Sequence, residues 1–154
     1  MNPFLSFMKT HWYLLTRRLH FPRERIGETF KLGDDQVFTV FRQVIVDPLK
    51  GQQGKPEAIF RVRFRVANMT SEQNKCFSIL PIPFFVGLPG FRSKLWMFDP
   101  ATDESQGVYQ WNTVDDAKNY ASSFAMRFMT RRAVPGSVSH EVQAVSSEKM
   151  DSII

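Results

Sequence analysis

A chain of 154 residues with 43% apolar residues and 15 phenylalanines can form one domain with a hydrophobic core and a modest appendage. Its single cysteine excludes an intramolecular disulfide and favours a reducing, cytoplasmic compartment. The net charge of +5 is concentrated in residues 1–25, where five basic residues face one acidic residue; this local basic arm is unlike a uniformly basic nucleic-acid-binding protein. No apolar run approaches the roughly 20 residues that span a bilayer, and no Cys/His cluster has zinc spacing.

Residues 3–21 have the periodicity of an amphipathic helix within the basic arm. Pro3 suits a first helical turn, and Pro22 favours an end just before it. Two interpretations stay open: the helix packs on its own domain or a partner subunit, or it lies on an anionic membrane surface or an acidic protein partner, as a peripheral membrane protein would. The residues that would make this second contact are Phe4, Phe7, Met8, Trp12, Leu15, Arg17 and Arg18.

Residues 28–46 are rich in β-branched and aromatic side chains and predict two strands around a turn at residues 33–35. The loop at residues 47–56 contains two glycines and two prolines and predicts the main domain boundary. The expected organisation is an N-terminal extension of helix and β-hairpin over residues 1–56, a core domain over residues 57–146, and a flexible tail over residues 147–154.

The core is predicted to begin with a strand over residues 58–67, in which apolar and basic residues alternate. Arg61, Arg63 and Arg65 share one face of this strand and would repel one another without compensating anions. Two explanations stay open. Carboxylates such as that of Glu141 or those of a partner subunit compensate the row, or the row binds an anionic ligand.

The rest of the core predicts a helix, a hairpin, a second helix and a last strand. Pro81 and Pro83 break the first helix near residue 80, and residues 88–111 form a long hairpin. Residues 113–132 predict one continuous helix with Phe124 at the centre of its apolar face, so Phe124→Ala should lower the free energy of unfolding by roughly 3–5 kcal/mol. Residues 137–145 predict the closing strand.

This order of elements predicts an α+β, ferredoxin-like βαββαβ fold, preceded by the helix and hairpin of the extension. Two helices cover only one face of such a sheet. A second subunit that packs its sheet against the other face would shield it, so a homodimer is expected.

Several residues of the core have a distinctive spacing: Pro89, Gly90, Phe91, Lys94, Trp96, Gly107, Val108, Tyr109, Ala117 and Tyr120. By these residues the chain resembles the YdhR-like monooxygenase family of the dimeric α/β-barrel superfamily, which includes the antibiotic biosynthesis monooxygenases. The resemblance covers residues 57–146. It implies a dimer with a cavity between sheet and helices in each subunit, and in some relatives the oxidation of aromatic molecules by oxygen without a metal or flavin cofactor.

The resemblance implies an enzyme site for a small aromatic or hydrophobic molecule, with Trp96, Tyr109 and His140 as its catalytic residues. Further candidates for ligand binding are Arg61, Arg63, Arg65, Lys94 and Trp111. Each has a simpler explanation: the tryptophans as core or interface residues, His140 as a surface or interface residue of an edge strand, and Lys94 as a solvated or ion-paired strand residue. The predicted function is a cofactor-independent monooxygenase. The alternative is a non-catalytic ligand-binding or assembly protein, docked to a membrane or larger complex through its N-terminal helix.

Overall fold

The computed structural model describes residues 2–32, 36–49, 51 and 54–145. Its strands form one antiparallel sheet in the order β1-β3-β5-β6-β4-β7, and β2 pairs with β3. The elements in chain order are α1 Pro3–Leu15, β1 Leu19–His20, β2 Thr29–Leu32, β3 Gln36–Val46, β4 Ala58–Phe64, α2 Ser71–Phe77, α3 Ile82–Val86, β5 Phe91–Asp99, β6 Glu104–Trp111, α4 Val114–Ala121, α5 Phe124–Thr130 and β7 Ser139–Ala144. From β4 onward the spatial order β5-β6-β4-β7 is that of the ferredoxin-like fold, which confirms the predicted fold class.

The helices pack on one face of the sheet and form a hydrophobic core with the side chains of its strands. Phe60 and Val62 alternate with the arginines of β4, as predicted, and both are buried among side chains of the helices. Phe85 of α3 and Tyr120 of α4 belong to the same cluster. The period of two along β4 therefore places every second residue under the helix layer.

The opposite face of the sheet has an apolar cluster of its own. Phe38, Ile59, Leu95 and Val108 are buried within a single chain, and Phe30 of β2 packs against them. We expected this face to be open and to be covered by a second subunit. These residues are already buried without a second subunit, so the need to cover them is not a reason to expect a homodimer. The dimer itself stays a prediction.

Strand β3 joins the predicted extension to the predicted core domain. It pairs with β5 from Thr39 opposite Phe98 to Ile45 opposite Ser93, with an irregularity between Val40 and Arg42. The predicted hairpin of β2 and β3 is present, and its turn at residues 33–35 lies outside the described residues, as does the predicted tail. One continuous sheet thus contains strands from both predicted regions.

Helix α1 is shorter than predicted because a backbone turn ends it after Leu15. Arg17 adopts a left-handed conformation with φ of 55°, and its N–H donates to the carbonyl of Leu14. The N–H of Arg18 donates to the carbonyl of Tyr13. These two bonds form a Schellman motif, which terminates helices.

Helix α1 packs on α3 through its polar side. Ser6 and Thr10 are buried, and their hydroxyl oxygens lie 2.7 Å from the carbonyl oxygen of Phe84 and 2.9 Å from that of Pro83. These carbonyls stand at the end of a five-residue helix, where intrahelical donors are lacking. Gly87 permits the close approach, since a Cβ there would lie 2.1 Å from the backbone oxygen of Ser6. The predicted apolar stripe consequently points away from the domain.

The predicted helix over residues 113–132 is divided into α4 and α5. Ser123 caps α5 by accepting a hydrogen bond from the backbone N–H of Met126, and serine favours such a cap over a helix interior. The break turns Phe124 outward, so that 41% of it is exposed. The predicted burial of Phe124 at the centre of a continuous apolar face is therefore wrong.

Candidate functional site

A cavity of about 60 Å³ lies between the sheet and the helix layer. We call it the Lys94 cavity, after the charged residue that enters it from β5. It has room for a few water molecules. The side chains and backbone that shape it include Phe85, Lys94, Trp96, Gly107, Tyr109, Tyr120, Met129 and Arg132.

Lys94 is buried among aromatic rings. Only 6% of the residue is exposed, and its Nζ lies 4.1 Å from the ring centroid of Trp96, 4.4 Å from that of Tyr109 and 4.6 Å from that of Phe85. Among the described residues it has no hydrogen bond or ion pair. Within the described residues, the faces of these three rings are thus the only favourable electrostatic contacts of the Lys94 ammonium.

Glycine at position 107 leaves the space that the lysine needs. Gly107 lies on β6 directly opposite Trp96. A Cβ at this position would lie 2.8 Å from Cε2 of Tyr109 and 3.4 Å from Cε of Lys94. A larger residue would therefore displace the tyrosine ring or the lysine stem.

Burial holds the pKa of the Lys94 ammonium well below its usual range, and the nearby charge of Arg42 lowers this pKa further. Water no longer solvates the charged form, and no carboxylate among the described residues replaces that solvation. The amine therefore loses its proton at a lower pH than an exposed lysine does. A neutral, buried amine is a base that can accept a proton from an acidic ligand.

Tyr109 and Tyr120 form a hydrogen-bonded pair beside the lysine. Their phenol oxygens are 2.8 Å apart, with the hydroxyl of Tyr120 donating to that of Tyr109. Burial raises the pKa of both phenols, so both stay protonated at neutral pH. Because one hydroxyl satisfies the other, one hydroxyl hydrogen is left to donate to an acceptor in the cavity.

The charged residues around the cavity are basic. Arg132 lines it and lies over the ring of Phe77 at 4.2 Å, and Arg42 donates a hydrogen bond to the lining residue Ser78. Among the described residues, neither an aspartate nor a glutamate lines the cavity. This arrangement favours a ligand that is negatively charged or that becomes so on binding.

The structure brings three of the predicted site residues together, namely Trp96, Tyr109 and Lys94. Trp111 is fully buried and packs behind them, with its ring 6.4 Å from that of Tyr109 and 5.1 Å from that of Tyr120. It belongs to the core, the simpler of its two explanations, and does not line the Lys94 cavity.

His140 lies outside the cavity. It is exposed on the edge strand β7, where its ring stacks on that of Phe60 at 5.4 Å. Phe60 in turn contacts both tyrosines of the pair. The predicted catalytic histidine is therefore not brought together with Trp96 and Tyr109.

The arginine row points to the other face of the sheet. Arg61 forms an ion pair of 3.0 Å with Glu141. The guanidinium of Arg63 donates to side-chain oxygens of Gln106 and Gln36, at 2.8 Å and 3.0 Å. Arg65 is exposed. A carboxylate of the same chain thus compensates Arg61, and neutral amides satisfy hydrogen bonds of Arg63. The row does not line the Lys94 cavity.

Sequence reasoning did not assign Tyr120, Arg132 or Gly107 to the site. Tyr120 carries the family resemblance and lies in the helix predicted over residues 113–132, which by itself gives it no role in the site. The signal that could have found it is its hydroxyl, since a buried tyrosine usually has a hydrogen-bond partner and the phenol of Tyr109 is one candidate. Gly107 could have been found as a glycine inside a strand, which often marks close packing.

No group of three or more metal-ligating side chains is present among the described residues, and no helix in that part of the chain is long and apolar enough to cross a membrane. No sequence model of a known protein family matches the chain, and no curated protein sequence matches it either.

Solved structures with the same fold are found at about 10% identity. A ferredoxin fold protein from Listeria monocytogenes, related to antibiotic biosynthesis monooxygenases, matches with a TM-score of 0.55 over 77% of this chain and 70% of its own, at 10% identity. A major regulator of staphylococcal pathogenesis matches with a TM-score of 0.58 over 89% and 92%, at 10% identity.

A heme-degrading enzyme from Listeria monocytogenes matches with a TM-score of 0.51 over 83% of this chain and 97% of its own, at 10% identity. At such identity these likenesses show the fold alone, and membership of the YdhR-like family stays a prediction. The chain has the ferredoxin-like α+β fold of proteins related to the antibiotic biosynthesis monooxygenases.

Proposed function

We propose that the chain is a cofactor-independent oxygenase that binds a small aromatic molecule in the Lys94 cavity and removes a proton from it with Lys94. One observation carries the proposal: a lysine amine is buried against three aromatic rings, inside a cavity, with no carboxylate partner among the described residues. Solved structures with this fold include a protein related to monooxygenases and a heme-degrading enzyme, which supports the reaction class by analogy of fold.

The residues around the lysine fit the anion that would form. After proton transfer, the Lys94 ammonium and the free hydroxyl hydrogen of the tyrosine pair can both donate to a phenolate or enolate oxygen. Arg132 adds positive charge to the lining. The charge is thus stabilised where it develops, which lowers the barrier to proton removal.

The oxygenation would follow on a ring carbon of this anion that still carries hydrogen. The anion bonds through carbon to molecular oxygen and gives a peroxide, to which the Lys94 ammonium returns its proton. Loss of the remaining hydrogen on that carbon, together with hydroxide, releases water and leaves a carbonyl. One molecule of oxygen is consumed for each CH₂ converted to C=O.

The size of the cavity sets the substrate class. Its volume of about 60 Å³ is far smaller than the roughly 300–1,000 Å³ of pockets for drug-sized ligands. A cavity of about 150 Å³ holds benzene. A single-ring phenol or its keto tautomer would therefore enter only if lining side chains move outward, and fused polycyclic molecules are disfavoured further.

The proton-transfer step can be observed with 4-nitrophenol, which absorbs visible light only as its phenolate. Mixed with the full chain at a pH below its own pKa, it should bind and show the phenolate band, because Lys94 takes its proton. Lys94→Met should remove the band. Lys118→Met, which alters an exposed lysine on α4, should retain it.

A nitrophenol that binds only in its neutral form, or that ionises equally in Lys94→Met, would contradict the proposed role of Lys94. Oxygen uptake with single-ring phenols and quinols, without added metal or flavin, tests the second step. We expect oxygen uptake that depends on Lys94. If bound phenols ionise but none of these substrates supports oxygen uptake, the protein binds phenols without oxidising them, and the oxygenase proposal is wrong.

A further inference from the structure

Helix α1 is amphipathic, but it buries its polar side against the domain and exposes its apolar side. The small polar residues Ser6 and Thr10 are buried against α3. The large apolar residues of the helix face outward: Phe4, Leu5, Met8, Trp12 and Leu15. The exposed fraction is 59% for Trp12 and 81% for Leu15. Water on this side would have to solvate a continuous apolar stripe.

The apolar surface continues from α1 onto neighbouring helices. The ring of Phe7 lies 6.4 Å from that of Phe84, and Phe84 lies 6.0 Å from Phe124 of α5. Phe124 in turn lies 6.4 Å from Phe128. A ridge of aromatic rings therefore extends the exposed face of α1 across the helix layer, on the side opposite to the sheet.

The charges beside this surface are mostly basic, and Glu24 is the one acidic residue within residues 1–25. Helix α1 contains Lys9 and His11 but no aspartate or glutamate. Arg17 and Arg23 follow it, are exposed, and form no ion pair among the described residues. Arg131, at the end of α5, is also exposed. An occupant with an apolar interior and a negatively charged surface would complement both properties.

We propose that the exposed face of α1, extended by the aromatic ridge, docks the protein on an anionic membrane surface. The helix would lie in the plane of the interface, with Trp12 and Leu15 in the boundary between headgroups and acyl chains and with the arginines at the phosphates. Its polar side keeps the contact with α3, so the domain does not need to open in order to bind.

The three tryptophans supply an internal probe for this contact. Trp96 and Trp111 are buried in the domain, and Trp12 is exposed. Vesicles of phosphatidylcholine with phosphatidylglycerol should therefore shift the fluorescence of the full chain to shorter wavelength through Trp12. Trp12→Phe should abolish the shift. Salt should weaken the binding, because the arginine contacts are solvent-exposed.

The double variant Met8→Ser with Leu15→Ser keeps Trp12 as the probe and should bind these vesicles at least about tenfold more weakly. A matched double variant, Ile26→Ser with Leu49→Ser, changes two exposed apolar residues outside the helix layer and should bind as the wild type does. Vesicle flotation gives the bound fraction independently. Thermal melts should show both variants folded.

Equal binding to vesicles of phosphatidylcholine alone would overturn the assignment of an anionic surface. Absence of binding to either vesicle would overturn the membrane proposal as a whole. If sedimentation then showed self-association that Met8→Ser with Leu15→Ser removes, the face would be an interface between copies of this chain. Binding to an acidic polypeptide but to no vesicle would assign it to a protein partner instead.

Discussion

Replacing Lys94 with methionine is expected to reduce turnover by about 10²–10⁴-fold, the usual contribution of a positioned general base. The same substitution should raise the free energy of unfolding at pH 7 by about 1–4 kcal/mol, as apolar replacements of buried ionic groups often do. Methionine has a similar length and fits among the rings of Phe85, Trp96 and Tyr109. Substrate turnover and urea unfolding measure the two effects, with Lys118→Met as the control.

The stabilisation should depend on pH with a defined sign. The pKa of Lys94 is lower in the folded chain than in the unfolded chain, so the unfolded chain binds the extra proton. Stability of the wild type therefore rises with pH from the lowered folded pKa up to the ordinary lysine pKa, near about 10.4. Lys94→Met should lack this rise, and its advantage should shrink toward high pH. A less stable variant at pH 7, or an advantage that grows with pH, would contradict the burial of an unpaired amine.

Phe60→Ala is expected to lower the free energy of unfolding by about 3–5 kcal/mol. Phe60 is fully buried on the central strand β4, and its ring contacts those of Tyr109, Tyr120 and His140. Truncation to alanine would leave a void between β4, β6, α4 and β7, and these elements cannot fill it without moving. Urea unfolding of the full chain, followed by circular dichroism, measures this loss.

Phe124→Ala is the matched control for this prediction. The two residues have the same side chain, but Phe124 begins α5 and is 41% exposed. Its loss should be about 1 kcal/mol or less. Equal destabilisation of the two variants would indicate that Phe124 is as buried as Phe60. That result would contradict the break between α4 and α5 and would favour one continuous helix over residues 113–132.

The sheet of this protein could be predicted from its sequence because a strand pattern repeats every two residues. Alternation in β4 placed Phe60 and Val62 on one face, and that placement holds in the structure. Helix ends were harder, since they depend on local capping. Ser123 begins α5 as its N-cap, and the left-handed Arg17 ends α1, at points where apolar periodicity alone would continue the helix. The docking side of α1 could not be predicted, because hydroxyl groups that satisfy free carbonyls of α3 outweigh the apolar stripe.

The site could be predicted only in part. The family resemblance, which Lys94 also carries, predicts Trp96 and Tyr109 as site residues, and it predicts Lys94 only as a cation for ligand binding and not as a buried amine. Its burial depends on Gly107 and on rings from α3 and β6, which are distant in sequence. The resemblance also implies His140, but in the structure its ring stacks on that of Phe60, and Phe60 lies between it and the tyrosine pair as a contact of both.

The account depends most on the protonation state of Lys94, which can be measured directly. Nuclear magnetic resonance of the full chain with isotope-labelled lysine would follow the side-chain signals of Lys94 against pH, assigned by comparison with Lys94→Met. We expect Lys94 to titrate well below the ordinary lysine range, and to become protonated again at the same pH when 4-nitrophenol is added. Titration of Lys94 together with the exposed lysines would contradict the account.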